Sequence, residues 1–361
     1  MLTSYIVTGC IEPYYFDIES SSDPLVIESY ISDVSFNKSL LYPSDGKYFI
    51  TKLKYGQNLF NKGQNVTGAK VEVLSGNGNS WMYTEVSPGE YWLLDKDFHA
   101  VIETKYKTKI TLSNNEIYES EWEMLHVDHQ KMGDISFIET EMYKIQFKNG
   151  GGDKSLGKVN GIELTVEIPV NLSSKKKYYK WQYEQTWIYL AGRLSNDNPF
   201  YKCWVRGNSI LSPYTIAEDN VGGYNKSLVF INVDTNERTF KDLSVLVKQF
   251  IISKDYYNFL KELEEQGHAN NIFTGPPYNL KTNYYSLNNN KPVFGYFSVR
   301  HEEAKRFYFS VADLSYYVDS NIGIANCRSA IGPYPPDDPC DNCLNYIYGG
   351  EPTIIKPYWW H

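Results

Sequence analysis

From Leu25 to about Glu123 the chain is a succession of short strand-like runs, broken by turn residues at roughly 8–12-residue spacing. That rhythm admits few folds other than layered β-sheets. Leu25 to Ile31 opens the series, and Gly68 to Leu74 alternates apolar with polar residues, the mark of a strand with one buried face. Ser75-Gly-Asn-Gly-Asn-Ser80 forms a turn into Trp81 to Val86, and Ser87-Pro-Gly-Glu-Tyr91 turns into a further strand. Lys107 to Leu112 and Glu116 to Ser120 flank Ser113-Asn114-Asn115, which predicts a hairpin.

From about Val127 the runs lengthen and become more aromatic. Gly161 to Ile168 alternates cleanly, and Tyr179, Trp181, Tyr183 and Gln185 fall on one face of a single run, predicting a core stripe. One helix is predicted near 254–266, where Tyr256, Phe259, Leu260 and Leu263 recur at helical spacing, Ser253 can cap and Gly267 can terminate. Asn270 to Asn290 reads as loop, ahead of a strand over Pro292 to Val299. The expected fold is therefore all-β with one notable helix. Its expected organisation is a signal remnant and linker over 1–24, a β-sandwich over 25–126, and a larger β-rich domain over 127–361 ending in a cysteine-containing loop. The first sandwich resembles the immunoglobulin-like and carboxypeptidase-regulatory-like modules of secreted proteins.

Charge narrows the partners. Lys and Arg number 35 against 43 Asp and Glu, a net charge of −8, so no basic field draws a phosphate backbone and nucleic acid is not expected. The 32 tyrosines suit strands and binding faces instead. No run of about 18 apolar residues is present to span a bilayer as a helix. At the front, Val7-Thr8-Gly9-Cys10 resembles a bacterial lipobox, although the nine residues before Cys10 contain no basic residue and are too few for a secretory signal. The expectation is that Cys10 is the lipidated N-terminus and that the true start lies upstream of Met1.

The other cysteines are Cys203, Cys327, Cys340 and Cys343. Cys340-Asp-Asn-Cys343 could be half of a zinc site, but Cys203 and Cys327 are isolated and no matching pair is present. A thioredoxin-like motif belongs at a helix start after a strand, whereas Pro335-Pro336-Asp-Asp-Pro339 precedes this one. Disulfides clamping a proline-rich C-terminal loop are the expected arrangement, and an oxidising compartment follows. Their pairing is left open among three possibilities.

Several landmarks then coincide in order: Val26-Ile27-Glu28, Gly68-Ala69-x-Val71, Gly89-x-Tyr91, Tyr118-Glu119-Ser120, Tyr178-Tyr179-x-Trp181 with Thr186-Trp187, and Cys203-Trp204. They continue with the run from Tyr256 to Leu263, Asn271-Ile-Phe-Thr-Gly-Pro-Pro277, Gly295-Tyr296-Phe297-Ser298, Cys340-x-x-Cys343 and Pro357-x-Trp359. This set resembles the Bacteroidota lipoprotein family catalogued as domain of unknown function 4249. The resemblance implies an outer-membrane lipoprotein, lipid-anchored on the periplasmic or cell-surface side, often encoded beside TonB-dependent transporters of the nutrient-uptake type. It carries over no catalytic residue, and it supports Cys10 as the lipid acceptor.

Four further features invite chemistry. His126-Val-Asp128-His129 offers metal-ligand types, but residues 126 and 129 diverge on a strand, and no metal site is expected there. Glu302-Glu303 and Asp337-Asp338 are adjacent carboxylates that also diverge, which is poor geometry for glycoside hydrolysis. Lys175-Lys176-Lys177 reads as a solvated turn. At the C-terminus, Tyr358, Trp359 and Trp360 form an aromatic tail that must dock either on the chain's own body or on a partner, so these three are the candidate partner-binding residues. No catalytic residue, cofactor or familiar hydrolase or nucleotide motif is expected. The leading expectation is an accessory or ligand-binding subunit of a TonB-dependent transporter, with a surface adhesin and then a carbohydrate-active enzyme as alternatives.

Overall fold

A computed structural model describes residues 24–56, 64–125, 130–148, 153–173, 175–207, 214–234, 236–268, 280–318, 327, 332 and 335–361. The first half comprises β1 (Leu25–Ser32), α1 (Phe36–Ser39), β2 (Phe49–Tyr55), β3 (Lys70–Ser75), β4 (Ser80–Met82), β5 (Thr84–Ser87), β6 (Glu90–Leu93), β7 (Lys105–Thr111), β8 (Ile117–Ser120) and β9 (Glu123–Met124). There follow β10 (Ile135–Lys148), β11 (Asp153–Ile168), β12 (Lys177–Leu190), β13 (Lys202–Gly207), β14 (Thr215–Asp219), β15 (Tyr224–Asn232), β16 (Leu243–Ile252), α2 (Lys254–His268), β17 (Tyr284–Ser286), β18 (Val293–Phe309) and β19 (Glu351–Thr353). The chain is all-β, with α2 as its one long helix, and no helix among the described residues is long and apolar enough to cross a membrane. Ser253 caps α2 as expected, its Oγ accepting from the Tyr256 N–H at 3.3 Å. The expected hairpin is β7–β8, with Asn115 in the left-handed region at φ 65°.

One ten-stranded sheet organises everything else, in the order β19-β13-β12-β16-β18-β1-β2-β6-β5 with β14 also paired to β12. Its keystone is β18. The first half of that strand runs parallel to β1, from Leu25↔Val293 to Ser32↔Arg300, and the second half antiparallel to β16, from Ile251↔His301 to Leu243↔Phe309. Because side chains alternate along a strand, the odd positions of β18 serve two cores on the same face. Phe297 and Val299 enter the core closed by a six-stranded sheet (β17-β8-β7-β3-β4, with β9 paired to β7), and Phe309 enters the core closed by the three-stranded sheet β10-β11-β15. Tyr179, Trp181 and Tyr183 of the stripe read from the sequence fill the second core from β12, joined there by Trp187 and not by Gln185.

Residues of β1 to β9 supply most of the first core, and Tyr284, Val293, Phe297 and Val299 complete it from the far part of the chain. A division at residue 126 therefore crosses a shared sheet and does not separate two bodies. The parallel β1–β18 contact also dictates a glycine. Gly295 sits at φ 131°, where a Cβ would lie 2.0 Å from the Ile27 carbonyl oxygen. Gly295→Ala is expected to lower stability by about 1–3 kcal/mol, read as a fall in the urea midpoint. An unchanged midpoint would mean that the β1–β18 backbones can separate freely.

Past Gly161, where pairing with β15 ends, β10 and β11 continue as a two-stranded ribbon. On it the cross-strand pair Ile145 and Leu156 is exposed, as is Tyr143.

Candidate ligand-binding groove

The even positions of β18 face away from both cores. In register across the sheet, Lys180 lies beside Phe250 and Glu302, Glu184 beside Leu246 and Arg306, and Thr186 beside Arg206. A strand face this charged normally meets water. Here it is roofed at both ends. At one end α2 packs Tyr256 and Leu260 on Phe250, Ile252 and Tyr296. At the other, the C-terminal tail packs Trp360 on Ile188, Leu190 and Trp204.

Beneath α2, Lys180 and Arg300 are both buried. Each donates to the Tyr256 phenol oxygen, at 3.1 and 2.8 Å respectively. The Arg300 guanidinium also donates to Ser298 Oγ at 2.6 Å and lies 4.2 Å from the Tyr30 ring centre. Ring faces and a phenol oxygen thus substitute for water around two buried cations. Burial pushes the Lys180 ammonium below its ordinary range. Burial alone would raise the Tyr256 phenol, but Arg300 and Lys180 outweigh it and hold that group below the usual value.

Between helix and tail the face opens into a groove of about 380 Å³, within the range of small-molecule sites. Its floor is Glu184 to Thr186 of β12, Lys248 of β16, Arg306 of β18 and the end of β13 at Arg206. Its rim is formed by the segment from Ser44 to Lys47 and by Trp359. Arg206 pairs with Asp45 at 2.8 Å, and Lys248 pairs with Glu184. Although burial would raise the Glu184 carboxyl, Lys248 and Lys47 hold it below the usual range. Arg306 stacks on Trp359, its guanidinium carbon 3.4 Å from the ring centre, and donates to the Pro43 carbonyl and to Ser244 Oγ. Burial lowers its pKa to about 10. A second, wider depression of about 610 Å³ lies over Val26, Glu28, Lys52 and Glu90, where Lys52 and Glu90 pair at 2.7 Å across an exposed surface.

The residues singled out in the sequence are distributed as follows. Cys203–Cys343 and Cys327–Cys340 are disulfides, so all four candidates pair. The first ties the segment after residue 335 into the second core, where both cysteines are fully buried. Trp359 and Trp360 dock on the chain's own sheet: Trp360 is 5% exposed, and the Trp359 indole N–H donates to Asp45 at 3.1 Å. Tyr308 reinforces the tail by donating to the Trp359 carbonyl at 2.7 Å. Tyr358 is 65% exposed, with its hydroxyl on the Ser44 and Leu40 carbonyls. Glu302 and Glu303 diverge as expected, the former accepting from Ser32 at 2.6 Å and the latter from the Met132 N–H. Asp338 pairs with Arg193. Cys10 and the 126–129 motif lie outside the described residues. Among the described residues no group of three or more His, Cys, Asp or Glu is arranged to hold a metal ion.

The groove itself was not anticipated. Its signal was available in the even positions Lys180, Glu184, Lys248 and Arg306, charged residues at alternate places in otherwise apolar runs. No curated protein and no solved structure matches the chain. A family model does match, over residues 11–306, a span that includes every charged residue of the groove and ends before the tail. The chain belongs to the family described as Domain of unknown function (DUF4249).

Proposed function

We propose that this protein is a lipid-anchored envelope protein acting as a ligand-binding accessory subunit of a TonB-dependent nutrient-uptake transporter. The observation that carries the ligand-binding part is the groove, an open recess with a charged floor pinned by strands and closed on one side by the docked tail. Export is supported by the two disulfides, which persist in oxidising compartments. Support for the anchor and the transporter comes from the lipobox-like residues ending at Cys10 and from the family resemblance.

Extraction of native membranes in mild detergent tests this reading. Acyl chains on Cys10 and a co-purifying outer-membrane β-barrel are the expected result. An unmodified Cys10 with Met1 still attached would overturn the anchor, and a protein recovered alone would overturn the transporter role. In the second case a surface adhesin becomes the better reading. It is favoured by the β10–β11 ribbon, which presents Tyr143, Ile145 and Leu156 to solvent.

A further inference from the structure

We infer that the groove binds a small organic oxyanion, a carboxylate or phosphate held by Arg306 and Lys47. This rests on the ligand-binding part of the proposed function and adds the chemical class of the ligand. The argument starts from charge. Four cations and two carboxylates line the recess, in a chain whose net charge is −8. Both carboxylates are already engaged, Asp45 by Arg206 and the Trp359 indole, Glu184 by Lys248. Arg306 and Lys47 both feel the Glu184 charge, but among the described residues neither has a carboxylate within ion-pair distance.

Arg306 is the stronger half of the site. Its Nε and Nη1 donate to uncharged oxygens, while no described residue accepts from Nη2. Stacking on Trp359 fixes the plane of the guanidinium, so the donor fork is held before a ligand arrives. A half-buried cation with neutral acceptors only is completed by an oxyanion, through charge-assisted hydrogen bonds. Lys47 adds a second positive charge from the rim, and its ammonium lies 5.5 Å from the Tyr30 ring centre.

Calorimetric titration of the full chain at low ionic strength tests the inference, with citrate and inorganic phosphate as separate probes. Saturable uptake of at least one probe is expected, and the better probe distinguishes a carboxylate from a phosphate ligand. Arg306→Gln and Lys47→Gln should each weaken binding about tenfold, the effect of losing one charge-assisted contact. Lys54→Gln, on the wider depression, should leave binding unchanged. If Arg306→Gln fails to fold because its stack on Trp359 is lost, Lys47→Gln in the loop decides alone. The inference is overturned if neither probe binds saturably, if both groove variants bind like the parent, or if Lys54→Gln weakens binding equally. Co-purification with a barrel is independent of this titration, so failure of the ligand class and failure of the transporter role are told apart.

Discussion

Replacing Cys203 and Cys343 together by alanine is expected to lower unfolding stability by about 5 kcal/mol, against about 3 kcal/mol for replacing Cys327 and Cys340. The difference comes from the unfolded chain. A bridge between positions 140 residues apart removes far more conformational freedom than one between positions 13 apart. The longer bridge is also the one inside the core, beside Trp187, Val205 and Tyr346. Domains are commonly stable by about 5–15 kcal/mol in total, so the first variant should be marginal at physiological temperature and the second merely weakened. Urea midpoints of the two double variants, measured without reductant, check this. A smaller shift for Cys203/Cys343 than for Cys327/Cys340 would mean that the segment after residue 335 is held by packing and not by its cross-link.

Local order was readable in the sequence wherever one short stretch contained its own instructions. The β7–β8 hairpin has its turn residues between two alternating runs, and α2 has its cap at Ser253 and its apolar stripe at Tyr256 and Leu260. The sharing of one sheet by two sandwiches was not readable, because it depends on β1 pairing in parallel with β18 from the other side of the molecule. Nothing in Leu25 to Ser32 encodes that register. Only Gly295, forced by the nearness of Ile27, hints at it in retrospect.

The groove was hidden for a related reason. Polar residues at alternate strand positions ordinarily signal a solvated face, and Lys180, Glu184, Lys248 and Arg306 fit that pattern. What encloses them comes from three distant segments: the loop through Asp45 and Lys47, helix α2, and the tail at Trp359. The pairing of the cysteines was likewise beyond the spacing alone, since C-x-x-C suggests a local unit. Instead Cys340 and Cys343 reach out to Cys327 and Cys203 separately.

Trp360→Ala is the change that separates the two roles open to the aromatic tail. The ring is buried against Ile188, Leu190 and Trp204, and it meets Tyr308 edge-to-face with ring centres 5.9 Å apart. Removing a buried indole costs about 3–5 kcal/mol where the surroundings cannot collapse. The cluster around it is small and can partly close, so about 3 kcal/mol is expected. Trp359→Ala should cost less stability, because that ring is partly exposed and its main losses are the Arg306 stack and the bond to Asp45. Its effect should fall on the groove, where Arg306 would lose the surface that orients it. Thermal melts of the two variants, read beside probe titrations, test the division. A tail that anchors a partner would behave in the opposite way: Trp360→Ala would melt like the parent and release the barrel. A melting temperature unchanged in Trp360→Ala would therefore reject the intramolecular dock and return Trp359 and Trp360 to the partner surface.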